Sequence, residues 1–283
     1  MNKSVLITGA NSGFGYLMAL KFAREGWKVY ATTRDLEKDG AKSMNEIAGK
    51  EGLDVTWLVL DVTDGEAIKR AVREVPSLDV LVNNAGYGVL GPVETYTTED
   101  FRKQLDANFF GVVEMTYQFL PLLKESRYGR IINISSIAGL IAAPAYALYS
   151  SSKHALEAYT EVLRYALSGR VKVSLIEPGG FDTKFSENAK GLGVDADDDS
   201  WFGRVKRFRN SSFLSSSNSF IKRARNPQIV ADAVFKVANQ RNPRLRNIIG
   251  VGTPLTAFFR RILPGPVWEW IVLFAVKRAD KGR

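Results

Sequence analysis

The sequence contains no cysteine and a single histidine among its 283 residues. The missing thiols exclude disulfide bonds, thiolate metal sites and cysteine nucleophiles, and they fit a reducing compartment such as the cytoplasm. Because His154 is the lone imidazole, a histidine-based metal site or a serine–histidine–aspartate triad is nearly excluded as well. We therefore expect no metal, and any chemistry must depend on other side chains.

Long apolar runs are also missing. The first apolar run breaks at Thr8–Gly9, so we expect no secretory signal, and no run approaches the ~18 residues that a membrane-spanning helix requires. The composition, with 45% hydrophobic and 24% charged residues and no fixed repeat, is typical of a globular protein. We expect a single domain.

Charge is distributed unevenly along the chain. Residues 1–199 hold 22 basic and 27 acidic side chains, whereas residues 200–283 hold 17 basic and 3 acidic ones. The net charge of +9 therefore arises entirely in the last third. Such an excess suggests a phosphate-rich partner, either a membrane surface or a nucleic acid. No recognised nucleic-acid motif accompanies it, so we expect no nucleic-acid partner.

Short apolar runs alternate with helical patterns over most of the chain. The predicted strands cover residues 4–8, 28–33, 55–60, 79–82, 130–134, 172–176 and 247–251. The predicted helices cover residues 13–25, 64–75, 98–124, 147–167 and 227–239. This alternation predicts an α/β fold with a doubly wound, mostly parallel sheet. Ligands bind such sheets at the carboxyl ends of the strands.

The first predicted strand ends in the glycine stretch Thr8–Gly15, TGANSGFG. Glycine allows the backbone to turn sharply and to approach a pyrophosphate, whose charge would lie at the amino end of the next helix. A tight strand-to-helix turn without a ligand is the alternative interpretation.

The second strand end bears on the choice between NAD and NADP. Asp35 lies 20 residues after Gly15, where spacing alone would nominate the acid that binds the ribose of NAD. We reject that interpretation because the strand ends at Thr33, which takes the place of the acid, and Arg34 follows. Arginine suits a 2′-phosphate, and Asp35 is better placed as the N-cap of the following turn. A solvated Arg34 is the alternative.

Three later positions could also contact a cofactor. Asp61 could accept a hydrogen bond from an adenine amino group, with Val62 beside the ring. The tetrad Asn83–Gly86 ends the next strand and could support the sheet edge as much as touch a ligand. Asn108 lies inside the long predicted helix, where asparagine is unfavourable and often faces water.

An acid/base pair is predicted in Tyr149–Lys153, YSSSK. A spacing of four residues places the phenol and the ammonium on one helical face. At ~5 Å and an effective dielectric constant of ~20, the ammonium would favour the phenolate by roughly 3 kcal/mol, about two pKa units. Tyr149 would then exchange a proton with a carbonyl or alcohol, and Ser136 would fix that oxygen. A packed ring beside a solvated amine is the alternative.

These motifs occur in one fixed order. It runs from the glycine stretch through Asn83–Gly86, Asn108, Asn133–Ser136 and Tyr149–Lys153 to the turn Pro178–Gly179. In this order the chain resembles the short-chain dehydrogenase/reductase family over roughly residues 3–183. The joint pattern is highly specific, although no single motif is.

The resemblance implies a Rossmann-like fold and a catalytic tetrad of Asn108, Ser136, Tyr149 and Lys153. Lys153 would also bind the nicotinamide ribose, and Asn108 would hold a water molecule in a proton relay. Ser136 is preferred over Ser135 because the family's serine stands thirteen residues before its tyrosine. The residues implied to line the cofactor are Gly9, Ser12, Gly13, Phe14, Gly15, Arg34, Asp61, Val62, Asn84, Ala85, Gly86, Ile134, Tyr149, Lys153, Pro178, Gly179 and Thr183.

The resemblance also bears on the substrate. In the family the stretch after the Pro-Gly turn covers the substrate; here Gly180–Phe181 departs from the usual smaller or aliphatic residues, and residues 186–226 show no obvious pattern. Residues 89–93 and 140–146 add apolar surface, so we expect a lipophilic ketone, aldehyde or alcohol. Residues 31–36 resemble the hydroxysteroid and retinol dehydrogenase branch. Aromatic residues that favour a lid are Trp201, Phe202, Phe208, Phe213 and Phe220.

The last thirty residues form a predicted extension, residues 254–283, beyond a catalytic domain of residues 1–253. Leu255, Phe258, Phe259 and Ile262 form one apolar helical stripe. The apolar segment 267–276 is too short to span a bilayer at ~15 Å, and its tryptophans beside basic residues suit a membrane interface. The alternatives are that the extension closes the substrate pocket or pairs with a second subunit.

We therefore predict an NADPH-dependent oxidoreductase that transfers a hydride to or from a lipophilic substrate. A non-catalytic NADP(H)-binding regulator or scaffold is the alternative, and retention of all four tetrad residues argues against it. The resemblance further implies a homo-oligomer, dimer or tetramer. We expect it in the cytoplasm, with peripheral contact to a membrane through residues 254–283.

Overall fold

The computed structural model describes residues 2–181, 190–191, 201, 203–205 and 225–280. Seven parallel strands form its central sheet in the order β3-β2-β1-β4-β6-β7-β9. These strands are β1 (Ser4–Ile7), β2 (Lys28–Thr33), β3 (Val55–Val59), β4 (Val80–Asn83), β6 (Arg130–Ile134), β7 (Lys172–Pro178) and β9 (Arg246–Ile249). A separate parallel pair joins β5 (Val89–Leu90) to β8 (Lys190–Gly191).

Nine α-helices are seen in the described part of the chain. They are α1 (Gly13–Arg24), α2 (Asp39–Glu51), α3 (Gly65–Glu74), α4 (Thr98–Leu105), α5 (Gly111–Glu125), α6 (Ala147–Ala166), α7 (Gln228–Asn239), α8 (Thr253–Ile262) and α9 (Gly265–Asp280). A π-helical segment, Asp106–Phe110, joins α4 to α5.

Helices cover both faces of the sheet, and each face has its own apolar core. On one face, Phe22 of α1 meets Trp27 and Phe235 of α7 edge to face, with ring centroids 5.1 Å apart in both pairs. On the other face, Ile68 of α3 and Phe119 of α5 are fully buried against the strands. The fold is therefore the predicted doubly wound, parallel α/β architecture in a single domain.

Most predicted elements agree with the structure to within one or two residues. Helix α2 and the short strands β5 and β8 were missed. In α2 the buried residues are Ala41 and Met44, so the helix presents too narrow an apolar face to detect. The long helix predicted over residues 98–124 is interrupted by the π-helical segment. This interruption was not predicted, because one extra residue in a turn leaves the apolar pattern nearly unchanged.

The last two helices differ in how they contact the protein. The buried residue of α8 is Thr253, so the rest of that helix contributes little to the core. In α9, Val276 is buried and Trp268, Val272 and Ala275 are partly buried, which defines an inner face. Among the described residues, neither these helices nor the others combine the length and apolarity that a bilayer crossing demands.

Candidate active site

The predicted site residues meet at the carboxyl edge of the sheet. Strands β1 and β4 are hydrogen-bonded neighbours, and the chain order reverses between them. Strand β6 pairs with β4, and β7 pairs with β6. The glycine turn after β1, the Asn84–Gly86 turn after β4 and Ser136 after β6 therefore lie side by side at a topological switch point.

The turn after β1 has a geometry that requires glycine. Gly9 and Gly13 have φ angles of +66° and +53°. A Cβ atom on Gly15 would lie 2.2 Å from the carbonyl oxygen of Gly9, inside any tolerable contact distance. The start of α1 thus approaches the end of β1 more closely than a side chain at Gly15 would permit.

The amino end of α1 is open to an anion. Ser12 occupies the N-cap position without a side-chain capping hydrogen bond, and the first turn holds no acidic residue. In contrast, Asp64 caps α3, and Thr97 with Asp100 forms a capping box on α4. The uncapped N–H groups of α1 fit the pyrophosphate of a dinucleotide, which would supply the missing acceptors.

The Asn84 turn supports the glycine turn. The Thr8 hydroxyl accepts hydrogen bonds from the backbone N–H groups of Asn84 at 2.8 Å and Ala85 at 2.9 Å. The Asn84 amide donates to the carbonyl oxygen of Thr8 at 2.8 Å. Thr8 was not among the predicted site residues, although it opens the glycine stretch.

The end of β2 carries no carboxylate. Thr33 is buried, and its hydroxyl donates to the carbonyl oxygen of Asp35. The Asp35 carboxylate accepts from the backbone N–H of Glu37 at 2.9 Å, which confirms its predicted place as a turn cap. The Arg34 side chain is 80% exposed and lies 3.9 Å from the carboxylate of Asp61. Arg34 is thus free to approach a ligand at this edge.

Phe181, which stands after the Pro-Gly turn where the family usually has a smaller or aliphatic residue, has a packing role. It is buried, and its ring packs edge to face on Phe14 of α1 at a centroid distance of 5.8 Å. The backbone N–H of Gly179 donates to the carbonyl oxygen of Ile249 at 2.7 Å, which ties the turn to β9. Thr183 lies outside the described residues, as does most of the predicted lid, including Phe202, Phe208, Phe213 and Phe220.

Tyr149 and Lys153 lie on one face of α6, as their spacing predicts. Both are buried, and the Lys153 ammonium is 5.7 Å from the centroid of the Tyr149 ring. The ammonium donates to the carbonyl oxygen of Ile134, the last residue of β6, at 2.8 Å. This contact fixes the lysine at the carboxyl edge of the sheet.

The predicted downward shift in the pKa of Tyr149 is wrong for this structure. Burial raises the pKa of Tyr149 to about 12, and a hydrogen bond with Ser136 opposes this rise. Burial also lowers the pKa of Lys153 to about 8, against the raising influence of Glu157. For both groups, removal from water is the largest influence on the pKa. Tyr149 therefore holds its proton at neutral pH.

Ser136 stands at the end of β6, facing Tyr149. Its hydroxyl accepts from the backbone N–H of Ala138 at 3.1 Å and bonds with Tyr149. Ser135 instead lies near Glu157, where a Cβ atom on Gly139 would meet both side chains within 3 Å. The choice of Ser136 over Ser135 agrees with this geometry.

Asn108 is buried within the π-helical segment. Its amide nitrogen donates to the carbonyl oxygen of Tyr87 at 2.9 Å and to the Ser152 hydroxyl at 3.1 Å. Its amide oxygen accepts from the backbone N–H of Tyr87 at 3.1 Å. Asn108 thus ties the turn after β4 to α6, rather than facing water.

A partly buried ionic cluster lies directly behind Lys153, and it was not predicted from the sequence. Arg246 of β9 contacts the carboxylates of Glu157 and Glu161 on α6, and that of Glu177 on β7. Burial raises the pKa of Glu157 and of Glu177. Glu157 lies one helical turn after Lys153 on α6. This spacing of four residues was the feature of the sequence from which a contact between the two side chains could have been predicted.

A cavity of about 490 Å³ lies between the loop 140–144 and α9. Leu140 and Pro144 line it from the loop, Trp268 and Leu273 from α9, and His154 from α6. The inner face of α9 therefore borders the apolar loop that follows Ser136.

The comparisons with known proteins agree with this geometry. Residues 3–191 match the family model described as short chain dehydrogenase. The oxidoreductase YusZ of Bacillus subtilis is 38% identical over 96% of this chain and 98% of its own length. The chain therefore belongs to the short-chain dehydrogenase/reductase family, whose members are oxidoreductases that use a nicotinamide cofactor.

Two further relatives carry more specific names. The 3-ketodihydrosphingosine reductase of Bacteroides thetaiotaomicron is 36% identical, with 87% of each chain covered. Retinol dehydrogenase 8 of Bos taurus is 34% identical, over 90% of this chain and 84% of its own.

Solved structures show the same fold. A short-chain dehydrogenase from Streptomyces avermitilis superposes with a TM-score of 0.78 at 26% identity, covering 96% of this chain and 97% of its own. A serine dehydrogenase complexed with NADP+ superposes with a TM-score of 0.71 at 28% identity, covering 87% and 94%.

Proposed function

We propose that this protein is an NADP(H)-dependent oxidoreductase acting on a lipophilic ketone, aldehyde or alcohol. The observation that carries the proposal is the meeting of Ser136, Tyr149 and Lys153 at the switch point of the sheet, beside the glycine turn. In this proposal, residues 1–253 form the nucleotide-binding and catalytic unit, with a substrate lid at about 186–226, and residues 254–283 form an extension.

The side chains have distinct roles in this reaction. The hydride would be supplied or accepted by a bound nicotinamide cofactor. Ser136 holds the substrate oxygen, and Tyr149 donates its proton to that oxygen as negative charge develops there. Lys153, held by the carbonyl oxygen of Ile134, contributes positive charge beside Tyr149 and would bind the nicotinamide ribose. The amide nitrogen of Asn108 already donates two hydrogen bonds within the protein. A water molecule that relays protons beside Asn108 would therefore be held through an oxygen atom that accepts its hydrogen bond.

NADP(H) is preferred over NAD(H) in this proposal because of the end of β2. Thr33 stands where an acid would repel a 2′-phosphate, and the exposed Arg34 can pair with that phosphate. A charge-assisted contact of this kind contributes roughly 1.5 to 3 kcal/mol, which corresponds to about a 10- to 150-fold preference in kcat/KM. The NADP+ complex of the related serine dehydrogenase supports this choice.

The substrate class rests on apolar surface and on the names of relatives. The loop 140–144 contributes Leu140 and Pro144 to the cavity beside α9. Ketodihydrosphingosine and retinol, in the names of two relatives, are lipophilic. Both observations favour an apolar carbonyl or alcohol over a sugar or an acid.

Two measurements test the function. Fluorescence titration should show binding of NADPH, and a panel of long-chain and cyclic ketones and aldehydes should then consume it. If the protein bound NADPH and yet turned over neither the panel with NADPH nor the corresponding alcohols with NADP+, that result would favour the cofactor-binding regulator or scaffold.

The cofactor preference has its own test. Arg34→Ala should erase most of the preference for NADPH while leaving kcat/KM with NADH within about twofold. Lys38→Ala removes a nearby exposed lysine and serves as the matched control, with no change in preference expected. Equal use of NADPH and NADH by the wild type would contradict the assignment.

We further propose that the protein is a cytoplasmic homo-oligomer. Exposed side chains on α5 and α6, namely Tyr117, Val162 and Tyr165, with Phe110 before α5, offer an apolar surface for a second copy. Light scattering of the purified protein tests this point, and a monomer at micromolar concentration would refute it.

A further inference from the structure

The two terminal helices expose an unusual amount of apolar surface. Nine of the twenty exposed large hydrophobic residues in the described chain lie on α8 and α9. On α8 they are Leu255, Phe258, Phe259 and Ile262, and on α9 they are Val267, Trp270, Ile271, Leu273 and Phe274, of which Leu273 also lines the cavity beside the loop 140–144. Their exposed fractions range from 36% to 63%. A surface of this kind marks a contact site for a partner.

The exposed residues follow helical spacing on both helices. Those on α8 stand at i, i+3, i+4 and i+7, and residues 267, 270, 271 and 274 repeat the same spacing on α9. The inner face of α9 is a different stripe, formed by Trp268, Val272, Ala275 and Val276. Helix α9 therefore has two apolar faces, one packed against the protein and one directed outward. The packing of the described chain does not require the outward face of α9.

Basic residues flank the outward stripes. Arg261, Lys277 and Arg278 are exposed on these helices, whereas Arg260 lies over the ring of Trp268 at 5.9 Å, on the inner side. Residues 254–283 hold six basic and two acidic side chains. A second copy of the chain would bring like charges together across a two-fold axis, whereas an anionic surface would complement them.

The length of α9 decides between crossing and lying on a bilayer. Its 16 residues extend ~24 Å, below the ~30 Å hydrocarbon thickness. Apolar stripes with tryptophan, bordered by lysine and arginine, are typical of helices that lie in the headgroup region.

We propose that α8 and α9 together form a docking surface for an anionic membrane. The apolar stripes enter the boundary between headgroups and acyl chains, and the flanking basic residues contact anionic headgroups. This docking concerns a surface separate from the cofactor site, and it does not depend on the substrate proposed above.

Co-sedimentation of the full chain with phosphatidylcholine vesicles, with and without phosphatidylserine, tests the proposal. We expect binding to the phosphatidylserine vesicles at low salt and about tenfold weaker binding at high salt or without the anionic lipid. Absence of binding to phosphatidylserine vesicles at low salt would overturn the proposal.

Two variants separate the apolar and ionic contributions. Phe258→Glu with Phe274→Glu should lower vesicle binding about tenfold or more, and Val59→Glu is the matched control. Val59 is 58% exposed on β3, at the opposite edge of the sheet, so its variant should bind vesicles like the wild type. Arg261→Gln with Lys277→Gln should remove the preference for phosphatidylserine, since each basic residue contributes about fivefold to binding.

NADPH binding and circular dichroism establish that each variant is folded, and the Arg261/Lys277 variant tests the proposal even if the Phe258/Phe274 variant is unfolded. Suppose instead that the wild type is an oligomer, and that the Phe258/Phe274 variant is a monomer that binds vesicles as well as the wild type. The surface would then belong to a second copy of the chain. That result would overturn the proposal.

Discussion

The carboxyl edge of the sheet and the terminal helices break the usual distribution of side chains in opposite directions. At the sheet edge, polar groups are buried: Asn108 and Ser152 have no exposed surface, and Lys153 is 5% exposed. On α8 and α9, large apolar groups such as Phe258 and Trp270 face solvent. Each arrangement costs free energy unless a partner compensates for it.

The difference between the two regions lies in where the compensation comes from. At the sheet edge much of it comes from the chain itself, through the bonds of Lys153 to Ile134 and of Asn108 to Tyr87 and Ser152. On the terminal helices the outward stripes find no cover among the described residues. A buried polar group indicates preorganisation for chemistry, whereas an exposed apolar stripe indicates an external partner.

The largest effect is expected from removing the polar group at the centre of the buried site. Tyr149→Phe deletes the hydroxyl that is proposed to transfer the proton, so kcat should fall by roughly 100- to 10,000-fold. NADPH binding, measured by fluorescence titration, should stay nearly intact. Lys153→Ala should damage both turnover and binding.

If Tyr149→Phe retained more than about a tenth of the wild-type kcat, less than ~1.4 kcal/mol of barrier would depend on the hydroxyl. The assignment of Tyr149 would then be wrong.

The glycine turn provides the next test. Gly15→Ala would force a Cβ atom to within 2.2 Å of the Gly9 carbonyl oxygen, so the turn must shift. We expect NADPH affinity to fall about tenfold or more, together with a lower melting temperature. Gly49→Ala, in α2 with open space around its Cβ position, is the control, and it should leave affinity unchanged and stabilise by about 0.4 to 1 kcal/mol. If Gly15→Ala and Gly49→Ala changed NADPH affinity equally, the close approach of Gly15 to Gly9 would not be what the cofactor site requires.

The two faces of α9 can be compared directly by stability. Val276 is fully buried, so Val276→Ala should lower the free energy of unfolding by about 1.5 to 3 kcal/mol. Trp270 is 63% exposed, and Trp270→Ala should change it by less than about 0.5 kcal/mol. Chemical denaturation of both variants checks this prediction. A larger loss for Trp270→Ala would mean that the outward face packs against the protein.

The smallest effect concerns the ionic cluster behind Lys153. Burial lowers the pKa of Lys153 to about 8, and Glu157 raises it. The charged ammonium is thus present below this pKa and lost as the pH rises through it. Glu157→Gln removes the raising influence, so the alkaline limb of the kcat/KM profile should move to lower pH. Glu161→Gln is the control: it also contacts Arg246 but lies outside the influences on Lys153, so the limb should not move.

Much of the fold could be predicted from local pattern. Strands such as β2 and β6 are rich in apolar and β-branched residues, and their predicted bounds agree with the structure to the residue. The relation of Tyr149 to Lys153 was equally accessible, because it depends on helical spacing alone. Helix α2 was not, since its sequence lacks a wide apolar face.

The remaining features of the site depend on distant parts of the chain. Arg246 reaches Glu157 from 89 positions away, and nothing in either local sequence announces the pair. The pKa of Tyr149 was predicted in the wrong direction because spacing gives the distance to Lys153 and not the burial of both groups. Burial is decided by the packing of α6 against the strands, which local pattern does not quantify.

The uncapped start of α1 has a thermodynamic consequence for the whole chain. A helix end that leaves its N–H groups to a bound anion has its full complement of hydrogen bonds when that anion is present. A ligand that binds the native state alone stabilises it by about 2.7 kcal/mol when its concentration is 100 times Kd. The folded fraction of this protein, and hence its lifetime against proteolysis, would therefore rise and fall with the supply of dinucleotide.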